Sequence, residues 1–319
     1  MTHKETKNSL FTLLVFVALV LTFAAVVLSA YLRLKSIGLG CEDWPACFGH
    51  IAAEHKPSAV PTTTAGAIHR FTATVLGLVV LGITLMALRG RRPRSVSLAI
   101  PLLVFGLTVF LSVLGYNTPS PLVPAVALGN LGGGMAMLAL LWWMGQRSVE
   151  NVIDTDGGRR LRYWALPGLL VVALQITLGA WTSANFAGPS CTILPGCQGE
   201  WFPVENLTQG FDPTRQLVTD DQSRVITGDV QATLHMAHRL GAAMTLIYLL
   251  ALAYAALRLD KRLRNTSIAI IALAVLQAGL GITAVIAELP LLMVTAHNAI
   301  AAVLLLAMVN LIHLLVPTE

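Results

Sequence analysis

Residues 28–41 read LSAYLRLKSIGLGC, and residues 178–191 read LGAWTSANFAGPSC. Each stretch closes a long apolar run and ends on a cysteine. A second cysteine follows six residues later in both cases, Cys47 after Cys41 and Cys197 after Cys191, so the offset of 150 holds for the pair. Further along, Ile68-His69-Arg70 matches Ala237-His238-Arg239, and LSVLG at 111–115 resembles LQAGLG at 276–281. Asn130 then falls close to the place of His297. The chain therefore reads as a duplication, with halves of roughly 1–147 and 160–319 joined by a polar linker.

What each half consists of follows from composition. Of 319 residues, 55% are hydrophobic and 12% charged, with a mean hydropathy of +0.73, whereas charged residues make up about a quarter of soluble domains. Eight apolar runs are long enough to span a bilayer: roughly 11–32, 63–88, 96–116, 122–144, 164–184, 231–257, 266–287 and 291–316. The first is too long for a signal peptide and lacks an A-x-A-like cleavage site, so it counts as a span. The expected fold is an all-α integral membrane protein whose eight transmembrane helices form two pseudo-symmetric four-helix bundles. Four spans return the chain to its starting side, so both halves run in the same direction, and parallel repeats of this kind place sites within or between bundles.

A net charge of +5 invites a nucleic-acid reading, but the placement of the cations answers it. Fourteen of the 21 Lys and Arg residues cluster near the termini and in alternate loops: Lys4, Lys7, the 89–94 cluster, Arg147, the 159–162 cluster and the 258–264 cluster. This is the positive-inside pattern of a multi-pass protein of the cytoplasmic membrane, with both termini cytoplasmic. No nucleic-acid partner is expected. All four cysteines then lie outside, where disulfides persist. Cys41–Cys47 and Cys191–Cys197 read as two local disulfides, with a zinc site as the competing reading, although a tidy His/Cys partner set is missing. Two outer loops are long. The second, about 185 to 230, carries WFP at 201–203 and several acids.

Four residues enter the membrane at nearly one depth. His69, Asn130, His238 and His297 each lie six to eight residues inside the outer end of their run, or roughly 10 Å down. Intramembrane ionisable groups are costly and point to function. His238 and His297, expected on neighbouring antiparallel helices of one bundle, suit a shared ligand; hydrogen-bonded packing histidines are the alternative. Zinc would need further ligands at that depth, whereas haem iron takes two axial imidazoles inside an apolar bundle, so a haem is the expected cofactor. Arg239 and Arg70, each next to a histidine near the surface, suit haem propionates. The glycines of LGNLGGG and GLG allow either a flat macrocycle or close helix packing. His235, three residues before His238, shares its helix face and suits either a ligand contact or the water interface. His50 and His55 fall in the first outer loop, and His313 and His3 carry no signal. A repeat-built transporter finds no broken polar helices or acidic relays in support.

Taken together, GLGCEDWPACFG, LGAWTSANFAG, CQGEWFP, HMAHRLGA and TAHNA resemble the haem A synthases, which assist assembly of haem-copper cytochrome oxidases. The resemblance implies eight helices in two bundles, with haem b in the C-terminal half and a haem o substrate in the N-terminal half. It implies oxidation of the haem o C8 methyl to a formyl group by successive hydroxylations with loss of water. By position, His238 and His297 become the haem b ligands and His69 a ligand to the substrate haem. Cys41 and Cys47 become a redox-active pair fed by a thiol–disulfide electron donor, and Cys191 and Cys197 a structural one. Implied partners are a haem o synthase and a haem-copper oxidase. The N-terminal half departs from the family pattern at three places. Gly66 stands where a Glu is expected, Asn130 where a second His is expected, and Leu111 where a Gln often precedes LG. Glu42 and Asp43 are the nearest carboxylates along the chain. The alternative reading is a non-catalytic haem-b-binding assembly or electron-transfer protein.

Overall fold

The computed structural model describes residues 3–50, 63–117, 122–148, 156–200 and 207–316. His55 and the WFP stretch lie outside the described residues. Nine α-helices occur in the described residues: α1 (His3–Ser36), α2 (Thr64–Leu88), α3 (Ala99–Asn117), α4 (Pro124–Arg147), α5 (Asp156–Ala184), the four-residue α6 (Leu207–Gly210), α7 (Asp229–Leu259), α8 (Arg264–Ile286) and α9 (Leu291–Leu315). All but α6 are long and apolar enough to cross a membrane, and they coincide with the eight apolar runs. In lipid a helix satisfies its own backbone groups, so the runs fold this way wherever they must span. Local chemistry fixes the ends. Thr63 accepts from the Gly66 N–H to cap α2, Pro124 opens α4, and Asp260 accepts from the Arg262 N–H in the turn before α8.

Helix contacts repeat between the halves. α1, α2, α3 and α4 close one ring, each touching the next and α4 returning to α1. α5, α7, α8 and α9 close another in the same order. The rings meet through α1–α9, α4–α5 and α4–α9. With α1 equivalent to α5 and α4 to α9, that interface maps onto itself, consistent with two pseudo-symmetric bundles. Sequence order suggested that the two histidine-bearing helices were antiparallel neighbours. Instead α7 and α9 face each other across the ring, and they run in the same direction because one full span separates them.

The largest apolar core lies toward one end of the bundle, with smaller buried clusters under the cysteine loops. It comprises such residues as Phe11, Val15, Val80, Ile83, Leu138, Leu141, Leu249, Met308 and Leu311. Most of its buried members come from the helix halves nearest the basic loops, and none lies in 64–75, 124–134, 237–248 or 291–301. Gln146 and Asn310 hydrogen-bond between the halves at that end, and Asn310 Nδ2 donates to Thr266 Oγ1 at 2.8 Å. The opposite halves of the helices, toward the cysteine loops, are where His69, Asn130, His238 and His297 sit.

The two cysteine-bearing loops pack together over that face. Trp44 and Phe48 stack edge to face with centroids 5.4 Å apart, and Phe48 meets Phe186 at 5.7 Å. Val225 N–H donates to the Gly49 carbonyl at 3.0 Å. Gly38 is required by its surroundings: it sits at φ +97°, and a Cβ there would lie 2.6 Å from the Cys47 carbonyl oxygen.

A candidate bis-histidine site

The site begins with two helices that each offer one imidazole to the axis of the second ring. His238, on α7, and His297, on α9, have ring centroids 6.4 Å apart and planes at 82°. Two metal–imidazole bonds of about 2 Å, plus the distance from each nitrogen to its ring centre, sum to about 6 Å. The spacing therefore suits one metal ion between the rings. Among the described residues no group of three or more His, Cys, Asp or Glu could hold a metal. An ion held by these two imidazoles must take its other ligands from elsewhere, as iron does from a porphyrin. His297 Nδ1 is buried with no hydrogen-bond partner. A polar atom left bare in an apolar interior is costly unless a ligand takes it up. The residues present fit a haem.

The flanking helices shape both rings. The Gln175 amide nitrogen, on α5, lies 2.9 Å from His238 Nδ1 and donates to the His238 carbonyl at 3.0 Å. The Gln277 amide nitrogen, on α8, lies 3.1 Å from His297 Nε2. Sequence reading passed over both glutamines, although each opens an identical L-Q-x-x-L-G stretch, at 174–179 and 276–281.

Arg239 is committed to the loop closed by Cys191 and Cys197. Its guanidinium donates to the carbonyls of Ile193 at 2.8 Å, Gly196 at 3.0 Å and Cys191 at 2.5 Å, and its Nε is buried without a partner. His235 is buried one turn before His238 and hydrogen-bonds to the Ala187 main chain. His313 is buried and stacks edge to face on Trp143 at 5.9 Å, and His50 is exposed.

The first ring is plainer. His69 on α2 and Asn130 on α4 are half-buried on opposite corners, and Arg70 is exposed. Three of the α4 glycines serve close packing, while Gly132 faces open space: a Cβ at Gly133 would meet Leu111 at 2.8 Å, at Gly129 Leu114 at 3.1 Å, and at Gly134 Val26 at 2.8 Å. Of the second ring's glycines, Gly281 lies against the His297 ring while Gly279 faces open space. The α1 positions that repeat Gln175 and Gly179 are Ala25 and Ser29. Gly66 is in the first turn of α2, its N–H held by Thr63 Oγ1 at 3.2 Å.

Both disulfides are formed, with Cα separations of 6.5 Å for Cys41–Cys47 and 4.7 Å for Cys191–Cys197. They differ in access. Cys41 and Cys47 are half-buried, with Glu42 and Asp43 exposed beside them, whereas Cys191 and Cys197 are 1% and 0% exposed. Pro45 and Ala46, inside the first cysteine loop, line a cleft of about 510 Å³ together with Phe186, Asp220 and Arg224.

Fold and site together define a multi-pass helical membrane protein with a pair of imidazoles facing each other across one of two bundles. Residues 12–309 match the COX15-CtaA family, cytochrome oxidase assembly proteins, and the chain belongs to that family. It is 34% identical to the heme A synthase of Shewanella oneidensis over 95% of this chain and 96% of the relative. It is 26% identical to the heme A synthase of a Caulobacter species, strain K31, over 91% of each.

Proposed function

We propose that this protein acts in haem A biosynthesis, oxidising the C8 methyl of haem o to a formyl group for cytochrome oxidase assembly. It works in the cytoplasmic membrane, with basic loops and both termini on the cytoplasmic side. The observation that carries the reading is the pair of imidazoles, His238 and His297, 6.4 Å apart and outside the largest buried core. They would hold haem b, which when bound supplies one-electron redox chemistry. Two neutral ligands keep uncompensated charge out of the apolar interior. Arg239 fixes α7 to the disulfide loop, and its buried, unpartnered Nε–H is a donor left for a propionate; Arg70 offers an exposed guanidinium on the other ring.

In the first ring His69 would take the iron of the substrate haem o. The half-buried Cys41–Cys47 pair would accept reducing equivalents from a thiol–disulfide donor, while the buried Cys191–Cys197 pair braces the loop. A haem o synthase would supply the substrate and a haem-copper oxidase receive the product.

A second reading has its own support. Gly66, Asn130, Ala25 and Leu111 strip the first ring of polar groups that would manage protons or hold an iron, which favours a non-catalytic haem-b-binding protein. Expression beside a haem o synthase, followed by extraction of membrane haems, tests both. Haem A together with a low-spin haem b supports the enzyme, and haem b without haem A supports the second reading. His238→Ala and His297→Ala should each abolish the low-spin spectrum, and an unchanged spectrum in both would overturn the ligand assignment.

A further inference from the structure

The second ring has two diagonals. One, α7 and α9, carries the imidazoles; the other, α5 and α8, carries a glutamine and a glycine one turn apart on the same helix face. The two diagonals are joined pairwise: Gln175 of α5 reaches His238 of α7, and Gln277 of α8 reaches His297 of α9. The glycines complete the pattern. A Cβ at Gly179 would lie 2.8 Å from His238 Cε1, and one at Gly281 would lie 3.2 Å from His297 Cε1. Each ring is thus held by an amide at one nitrogen and cleared by a glycine at its edge.

We propose that Gln175 and Gln277 are positioning residues that set the orientation and donor strength of the two imidazoles, with Gly179 and Gly281 making room for those orientations. The proposal rests on the reading that His238 and His297 hold a haem. A histidine that gives one nitrogen to a metal carries its proton on the other, and the group accepting that proton fixes the tautomer and raises the basicity of the ligand. A carboxylate would do this at the cost of a buried charge. A carboxamide does it neutrally, presenting NH₂ to a bare ring nitrogen and its oxygen to a protonated one. With the rings bare each glutamine presents its amide nitrogen, Gln175 to Nδ1 of His238 and Gln277 to Nε2 of His297; when the opposite nitrogen, Nε2 of His238 or the buried, unpartnered Nδ1 of His297, takes the metal, the amide turns its oxygen to the ring N–H. The first ring has no such device, since Ala25 and Leu111 occupy the equivalent places and Leu111 packs against Gly133 instead.

The test is made on the purified full-length protein with its haem, read by midpoint potential and low-temperature spectra rather than turnover. Gln175→Leu and Gln277→Leu should retain haem but raise the midpoint potential, because a weaker donor stabilises the ferric state less. The double variant should shift it further. Gly179→Ala should convert more of the haem to high spin than Gly281→Ala, following the closer approach to its ring. Gln146→Leu, a glutamine at the far end of the helices, serves as the control and should shift nothing. If the leucine variants lose haem altogether, Gln175→Asn and Gln277→Asn, which withdraw the amide by one methylene, read the same shift. Unchanged potential and spectra in the glutamine variants, with haem lost in His238→Ala and His297→Ala, would overturn the proposal alone. Unchanged spectra in the histidine variants would overturn the haem reading beneath it.

Discussion

Arg33 Nη2 donates to Ser183 Oγ at 2.8 Å, and the two residues stand 150 positions apart, the offset at which the cysteine pairs repeat. Equivalent positions of two repeats can touch only close to the axis that relates them. This bond therefore marks where α1 and α5 approach that axis on the disulfide side. A cation inside an apolar span is costly unless its donors find acceptors, and a hydrogen bond to a charged group contributes about 1.5–3 kcal/mol. Ser183→Ala should lower thermal stability in detergent by about that much. Thr177→Ala, which removes only a helix back-bond to Ala173, should stay within about 0.5 kcal/mol. Equal effects of the two would show that Arg33 does not depend on Ser183.

The two disulfides should separate by access. Cys41–Cys47 is half-buried beside an open cleft, and Cys191–Cys197 is sealed and roofed by the Arg239 contacts. Exchange requires a thiolate to reach a sulfur. Mild reductant on native membranes should open the first pair before the second, as read by mass mapping of alkylated thiols. Simultaneous opening would remove the physical basis for assigning them different roles.

Much of this was legible in the sequence because the membrane makes it so. A bilayer demands about 20 apolar residues per helix, so the eight runs had no other stable reading. The shared depth of His238 and His297 followed from counting residues into their runs. What could not be read was the order of helices around a ring: chain order gives succession, not which helix stands opposite which, and α7 and α9 proved to be diagonal. The glutamines escaped for a different reason. An amide inside a span passes for ordinary helix composition until a ring nitrogen is found beside it, although the twice-written L-Q-x-x-L-G carried the signal.

A pH response is expected at the lip of the cleft beside the first cysteine loop. Asp220 is half-exposed, and the Arg224 backbone N–H, followed by the Gln222 N–H and the Arg224 side chain, holds its carboxyl below the ordinary value. A depressed carboxyl contributes stability above its unfolded pKa of about 3.9 and loses it as pH falls through the lower folded value. The turn should thus hold near neutrality and loosen below about pH 4. Because Val225 N–H pairs with Gly49, its exchange rate, corrected for the intrinsic pH effect, should rise on acidification. In Asp220→Asn that rise should vanish, and persistence of the rise there would assign it to another group.

The first ring offers the sharpest test of chemistry, because its deficits are single residues. Gly66 is three residues before His69 on α2, so a carboxylate there would lie one turn toward the surface on the same helix face. The backbone is ready for it: Thr63 already caps the helix, and Thr-x-x-Glu is a capping box that suits the first turn. A Cβ at Gly66 would meet only Thr63 Oγ1, at 3.2 Å, so the substitution asks for a small adjustment. Asn130 occupies the corner opposite His69, where an imidazole would give the substrate iron a second firm ligand that a carboxamide does not. A positioned acid–base group contributes on the order of 10²-fold or more. The native chain should therefore make haem A slowly beside a family member that carries both groups. Gly66→Glu combined with Asn130→His should raise the yield severalfold or more, while the low-spin haem b signal stays constant. A native rate equal to that member's, indifferent to both substitutions, would place the chemistry on other residues. No haem A from either form, with haem b intact, would make this a haem-binding assembly protein.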